Sequence, residues 1–308
     1  MKTVALAGGT GSAKLLRGMQ QQLGDFTVVS NVGDNFWHKG LYICPDIDTA
    51  IYTLAGIADV AKGWGIQGDT FNALSQMARM GEETWFNLGD RDLATHVFRT
   101  AQLTNGKRLG AVTAELCKRL GVAPRVVPCT DDTLETYIST VSGGREELMH
   151  LQEFWVRERG SPEVTKVSYV GAESATANET ALRAIEEAER IVFCPANPVT
   201  SILPILSVRG IRDAITDSRA RRVAISPMIG AGPVSGPAGK MMRSLGREPD
   251  SLSVASLYRG FIDCLVIDSS DEGKTKSIRE QGVEVAAAST LMNNREEERE
   301  LAKKALRV

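Results

Sequence analysis

Short, almost purely apolar runs alternate with longer amphipathic stretches along this chain. Residues 2–7 (KTVALA) predict a buried strand, followed by a glycine turn and a helix to about Leu23. Residues 26–30 (FTVVS) predict a second strand. Over 49–61 the apolar residues Ile51, Leu54, Ala55 and Ala58 share one face at helical spacing, which predicts a helix. From about 69 to 140 the pattern turns mostly helical, with helices expected at 70–80, 92–103, 110–120 and 131–141 and a strand-like VVP at 126–128. Alternation then resumes. Strands are expected at 165–170, 190–194, 222–226, 263–268 and 283–287, and helices at 178–188, 200–216, 238–245, 251–260 and 294–306.

Strands separated by helices of about 10–15 residues imply parallel βαβ units. The expected fold is therefore α/β: a Rossmann-like, mostly parallel sheet with helices on both faces. A largely helical insertion falls at about 69–160. Length alone would also allow two domains for 308 residues. No linker, internal repeat or low-complexity tract divides the chain, so one α/β domain over 1–308 is the economical reading. A chain this size buries roughly three quarters of its unfolded surface, so no disulfide or metal staple is needed. The charged run 295–304 reads as the solvated face of a terminal helix.

Charge removes some function classes. Lys plus Arg is 36 against 38 for Asp plus Glu, a net charge of −2, and no run of five basic residues occurs. Neither nucleic acid nor an anionic membrane is indicated as partner. An anionic ligand must be held by a local site. The five cysteines are scattered without CxxC spacing, as expected of buried thiols in a reducing compartment. Three histidines argue against a His-rich metal centre. The first apolar run is too short for a signal peptide, and none approaches the roughly 18 residues that span a bilayer. A cytoplasmic protein is expected.

Candidate chemistry sits in loops. Gly8-Gly9-Thr10-Gly11 leaves the first strand and enters a helix, where glycines admit close approach and free N–H groups favour an anion. It is neither a Walker A loop nor a full dinucleotide fingerprint, since Ala13 and Lys14 stand where further glycines belong. Asp46 and Asp48, two apart after Pro45, suit a hard cation such as Mg²⁺. Asp48 could equally be only the N-cap of helix 49–61. In the stretch from Asn87 to Asp92, Asp92 reads as an N-cap. Asp90 and Arg91 read as a surface pair or a substrate clamp, and His96 as a satisfied or exposed histidine. Two further loops follow strands, at 195–201 (with Asn197, Thr200 and Ser201) and at 226–240 (with Ser235, Gly236, Gly239 and Lys240). Both lie at carboxyl ends of parallel strands, where open α/β sheets bind ligands. Small polar side chains, exposed N–H groups and a lysine able to meet a phosphate make a phosphate-rich ligand, a nucleotide, the leading inference.

Together these loops resemble the 2-phospho-L-lactate transferase family of coenzyme F-420 biosynthesis, including its phosphoenolpyruvate-transferring bacterial relatives. The matching pieces are GGTGSAKLL at 8–16, CPDIDTAIYTLAG at 44–56, WGIQGDTF at 64–71, WFNLGDRDLATH at 85–96, LQEFWVRERG at 151–160, PANPVTSILPIL at 195–206 and SPMIGAGPVSGPAGKMM at 226–242. The resemblance implies that a ribityl hydroxyl of the deazaflavin FO attacks a guanosine diphosphate ester of a three-carbon acid and releases GMP. It implies Mg²⁺, a Rossmann-like fold and a homodimer. Gly8, Gly9, Thr10, Gly11 and Lys14 would hold the diphosphate, with the guanosine on loops 195–201 and 226–240. Asp46 and Asp48 would lie beside the metal and the attacking hydroxyl, Asp48 as weak base and Asp46 as metal ligand, or with the roles exchanged. Asp48 and Asn87 match FO-contacting positions, and some relatives carry Lys at the second. Asp90 and Arg91 join the substrate set, and Trp85, Phe86 and Trp155 could pack near the flat ring.

Two rivals stay open on sequence. One is an NAD(P)-dependent oxidoreductase on the Gly8–Gly11 turn, which leaves the other loops unexplained. The other is a non-catalytic nucleotide-sugar regulator of the same superfamily.

Overall fold

Seven parallel strands build the central sheet, running in space as Glu284–Ala288, Cys264–Asp268, Arg221–Ile225, Arg190–Phe193, Thr3–Ala7, Thr27–Ser30 and Arg125–Pro128. The coordinates are a computed structural model that describes residues 1–234 and 236–308. Thr3–Ala7 lies inside the sheet, between Arg190–Phe193 and Thr27–Ser30, because it can: all five residues are buried, as a strand covered on both faces requires. Leu6 pairs with Val29 on one side and Phe193 on the other. All three side chains are fully buried, each worth about 1.5–3 kcal/mol over exposure.

From Thr3–Ala7 the chain builds outward through Thr27–Ser30 to Arg125–Pro128. It then returns to place Arg190–Phe193 on the opposite side and builds outward the other way. The reversal makes a crevice at the carboxyl ends of Thr3–Ala7 and Arg190–Phe193. Helices flank the sheet, which confirms the expected α/β, Rossmann-like class. The charged C-terminal stretch forms the helix Arg295–Ala305 and is solvated on one face only. Its other face buries Leu301, Ala302 and Glu298, the last in an ion pair with Arg17 of the helix Gly9–Leu23. No helix among the described residues is long and apolar enough to cross a membrane.

The insertion is helical over Asn72–Arg79, Asp90–Thr104 and Leu109–Arg119 and then turns to strand. The VVP segment is the edge strand of the main sheet. The helix expected at 131–141 is instead the strand Glu135–Ser142, central in an antiparallel sheet with Arg145–His150 and Glu163–Val170. Its alternation of buried Thr136, Ile138 and Thr140 is a two-residue period of mostly β-branched residues. The strand near 165–170 therefore belongs to this small sheet and not to the parallel core.

Two helix boundaries also differ from expectation. The helix expected at 49–61 runs Pro45–Leu54. Proline suits a first helical position, and Gly56, at φ +73°, follows the end. Asp48 is therefore in the first turn and is not an N-cap. The helix expected at 200–216 breaks into the π turn Pro198–Ile202 and the helices Leu203–Ser207 and Ile211–Asp217.

Candidate active site

The crevice opens into a cleft of about 710 Å³, a size typical of small-molecule sites. Gly8, Gly9, Thr10, Gly11 and Lys14 line one wall. Asp46 and Asp48 come from the first turn of Pro45–Leu54, and Asn87 from the loop before Asp90–Thr104. Asn197, Thr200 and Ser201 enter from beyond Arg190–Phe193, and Gly236 from beyond Arg221–Ile225. Residues far apart in sequence thus meet at one rim of the sheet.

The turn at Gly8 is locked to its neighbours. Gly9 takes a left-handed φ of +69°, and its N–H donates to Asp46 Oδ1 at 2.7 Å. A Cβ on Gly11 would stand 2.1 Å from the carbonyl oxygen of Pro195, so only glycine allows these two loops to touch. The Asn197 side chain caps the Pro198–Ile202 turn, Oδ1 accepting from Val199 N at 3.0 Å. Its Nδ2 is buried without a protein partner and is a donor left for a ligand. Lys14, Lys62 and Arg159 add positive charge to the lining.

Four expected residues do not line the cleft. Asp90 serves the helix Asn72–Arg79: it accepts from Thr70 Oγ1, Asn72 N and Ala73 N, and these bonds, the Thr70 hydroxyl first, hold its carboxyl at about 2. Arg91 Nη1 donates to the Gln67 carbonyl at 3.1 Å. Lys240 Nζ donates to the carbonyls of Gly160 and, at 2.9 Å, Ser161, so it clamps that loop and is turned away from any phosphate. Gly239 packs beside Arg243 and Pro233. Ser235 lies outside the described residues. Phe86 and Trp155 do line the cleft, whereas Trp85 stacks on Phe36 at 6.2 Å between ring centroids.

Sequence reasoning missed two groups. The first is Asn31 and Asp34, just past the carboxyl end of Thr27–Ser30. Asn31 Nδ2 donates to Asp34 Oδ1 and Asp46 Oδ2, both at 2.8 Å, and Gln152 Nε2 donates to Asp34 Oδ2 at 2.9 Å. No cation pairs with either carboxylate among the described residues. Burial raises Asp46 to about 6, and burial, then the charge of Asp46, raises Asp34 well above the carboxylate range. Position at the rim of a central strand was the available signal.

The second group surrounds Asp48. Arg99, fully buried, pairs with Asp48 Oδ1 through Nη2, and His96 Nδ1 lies 3.7 Å from Asp48 Oδ2. Burial raises the Asp48 carboxyl above its ordinary value, against the lowering by Arg99. His96, expected to be a bystander, is buried and lines the cleft, as does Asp92. Asp92 is not an N-cap, because the helix begins at Asp90. The only sequence hint was the spacing of Asp92, His96 and Arg99 on one helix face.

Among the described residues no cluster of three or more His, Cys, Asp or Glu side chains is arranged to hold a metal. Mg²⁺ commonly takes only one or two protein carboxylates, with substrate phosphates and water completing its shell. The pair without a counter-charge, Asp34 and Asp46, fits that demand. Asp48 fits it poorly, since Arg99 already neutralises it.

The solved structure of protein BH3568 from Bacillus halodurans superimposes with a TM-score of 0.65 over 99% of both chains, at 16% identity, a likeness of fold. A phosphoenolpyruvate transferase of Streptomyces coelicolor is 41% identical, over 99% of this chain and 97% of that protein. A 2-phospho-L-lactate transferase of Methanosarcina acetivorans is 38% identical, over 97% and 96%. The family model described as "2-phospho-L-lactate transferase CofD" matches residues 3–306. The chain therefore belongs to the 2-phospho-L-lactate transferase CofD family of transferases.

Proposed function

We propose that this transferase moves a phospho-three-carbon-acid group from a guanosine diphosphate ester to the ribityl hydroxyl of the deazaflavin FO, a step of coenzyme F-420 biosynthesis. The hydroxyl oxygen bonds to the phosphorus that carries the acid. The bond from that phosphorus to the bridging oxygen breaks, and GMP leaves with it. One observation supports this above the others: a glycine turn opening a helix and Asp48, whose buried Oδ2 has no partner, line the same cleft.

The lining supports a division of labour. The Gly8 and Gly9 N–H groups are held by Ser12 and Asp46, so the N–H groups of Thr10 and Gly11 at the helix start, Asn197 Nδ2 and Lys14, once it leaves the Met292 carbonyl, meet the diphosphate. Each charge-assisted hydrogen bond contributes about 1.5–3 kcal/mol. Phe86 and Trp155 offer apolar faces to a flat ring. Asp34 and Asp46 would hold Mg²⁺, which supplies charge neutralisation at the diphosphate. Asp48, next to them, accepts from the hydroxyl. The relatives of 41% and 38% identity carry different donor names, and so small a gap does not choose between 2-phospholactate and phosphoenolpyruvate.

The test is GMP release, followed by chromatography, from purified protein with Mg²⁺, FO and each guanosine-diphospho acid in turn (lactate, enolpyruvate, glycerate). No release with any donor removes the proposal. Asp34→Asn is expected to raise the Mg²⁺ concentration for half-maximal rate by at least about tenfold, the usual scale for a lost charged contact. An unchanged Mg²⁺ requirement would take Asp34 out of the metal site.

A further inference from the structure

We propose that Arg99, His96 and Asp92 are positioning residues that keep Asp48 Oδ2 open as the acceptor for the attacking hydroxyl. The proposal rests on the transferase reading above and assigns roles to three side chains that it does not otherwise use. They sit at one-turn spacing on the helix Asp90–Thr104, and all three are buried.

The state of Asp48 Oδ2 depends on where the His96 proton sits. Arg99 Nη1 lies 3.1 Å from His96 Nδ1. A guanidinium has only hydrogens to offer, so Nδ1 must be the acceptor there. The ring proton is therefore on Nε2, which stands 3.2 Å from Asp92 Oδ1. Asp92 is fixed in turn by the Tyr52 hydroxyl, which donates to the same oxygen at 2.7 Å. Arg99 is anchored by Asp48 Oδ1 and by the carbonyl of Tyr42 at 3.4 Å.

The consequence falls on Asp48. Its Oδ1 is held by Arg99, which fixes the orientation of the carboxylate. Its Oδ2 faces His96 Nδ1 at 3.7 Å, but in this tautomer that nitrogen has no hydrogen to give. Oδ2 is accordingly buried with no hydrogen-bond partner in the protein, a rare and costly state for a carboxylate oxygen. Asp48 and His96 both line the cleft, so a hydroxyl entering from it is the donor that completes the site. With the proton on Nδ1 instead, the imidazole would occupy Oδ2 itself and shut the hydroxyl out. Arg99 and Asp92 select the tautomer that leaves the oxygen free.

Asp92→Asn inverts the selection. The new amide can accept from Tyr52 through Oδ1 and donate to His96 Nε2 through Nδ2, which favours the ring proton on Nδ1; Arg99 Nη1 then gives up its 3.1 Å contact with that nitrogen and keeps the Tyr42 carbonyl. Tautomer switching of this kind is the recognised effect of an Asp→Asn change behind a catalytic histidine. The experiment pairs two readouts. Ring ¹⁵N shifts of the labelled protein report the tautomer, and with only three histidines in the chain a His96→Gln variant assigns the signal. GMP release gives kcat/KM for FO, and calorimetry gives the affinity for guanosine diphosphate.

The parent is expected to show the proton on His96 Nε2. Asp92→Asn is expected to show it on Nδ1, with kcat/KM for FO down about 10- to 100-fold and guanosine diphosphate affinity unchanged. A merely structural defect would lower both. A proton on Nδ1 in the parent, a measurement that needs no variant to fold, overturns the proposal. So does an Asp92→Asn protein that turns over FO at the parental rate. Absence of GMP release in the parent overturns the transferase reading instead, while the ring shifts still judge the geometry.

Discussion

Gly11→Ala probes whether the turns at the crevice form one rigid cradle. The added Cβ would stand 2.1 Å from the Pro195 carbonyl oxygen, whereas ordinary contact begins at 3.4 Å. One of the two backbones must therefore retreat by about 1.3 Å, because neither is a flexible side-chain end. Overpacking of this kind costs about 1–3 kcal/mol. With an unfolding entropy of about 2.1 cal/mol/K per residue, that lowers Tm by about 2–5 °C in a chain of 308 residues. Function suffers more, since a misplacement of about 1 Å costs on the order of 10²-fold in rate. Gly9→Ala is the comparison. Its φ of +69° imposes about 1–2 kcal/mol of left-handed strain, yet its Cβ would meet nothing nearer than Ser201 Oγ at 3.8 Å. Differential scanning calorimetry and GMP release on both variants decide. The two should lose similar stability, and Gly11→Ala should lose far more turnover. A Gly11→Ala protein with parental Tm and parental rate would refute the shared cradle.

Two further outcomes are expected. Arg17→Met leaves the buried Glu298 carboxylate with only Arg295 at 3.6 Å and should cost about 3–5 kcal/mol in denaturant unfolding; Arg17→Met with Glu298→Leu should recover most of it, and simple additivity would refute the pairing. Burial pushes the His150 imidazole down to about 4 from 6.5, so the unfolded chain takes up a proton that the folded one refuses as pH falls from about 6.5 to 4. Stability due to this group is complete above that window and falls by at most about 3 kcal/mol across it. The raised Asp46 acts oppositely, gaining stability as pH falls through about 6, so the difference between parent and His150→Gln curves isolates the effect. A flat difference curve would refute it.

Much of the scaffold was legible because its signals are local. A run such as VALA can be satisfied only in a covered strand, and Gly8-Gly9-Thr10-Gly11 after it marks a turn that admits an anion. Where one period was mistaken for another, as at 131–141, the alternation of Thr136, Ile138 and Thr140 was present but short, and its partners Arg145–His150 and Glu163–Val170 decided the outcome. Lys240 illustrates the opposite limit. A lysine after a glycine-rich loop has the chemistry for a phosphate, but its direction depends on which carbonyls lie within reach, and Gly160 and Ser161 lie nearer.

By itself, then, the amino-acid order determined the α/β class, the seven strands of the parallel sheet and most of the loops that carry chemistry, because periodicity, proline and glycine act over a few residues. Tertiary structure alone decided the electrostatics of the cleft. It set Asp34 against Asp46 without a counter-charge, gave Asp48 to a buried Arg99 51 residues away, and turned His96 so that one carboxylate oxygen stays free. Those relations depend on distance and burial between segments, and nothing in the neighbours of a residue along the chain encodes either.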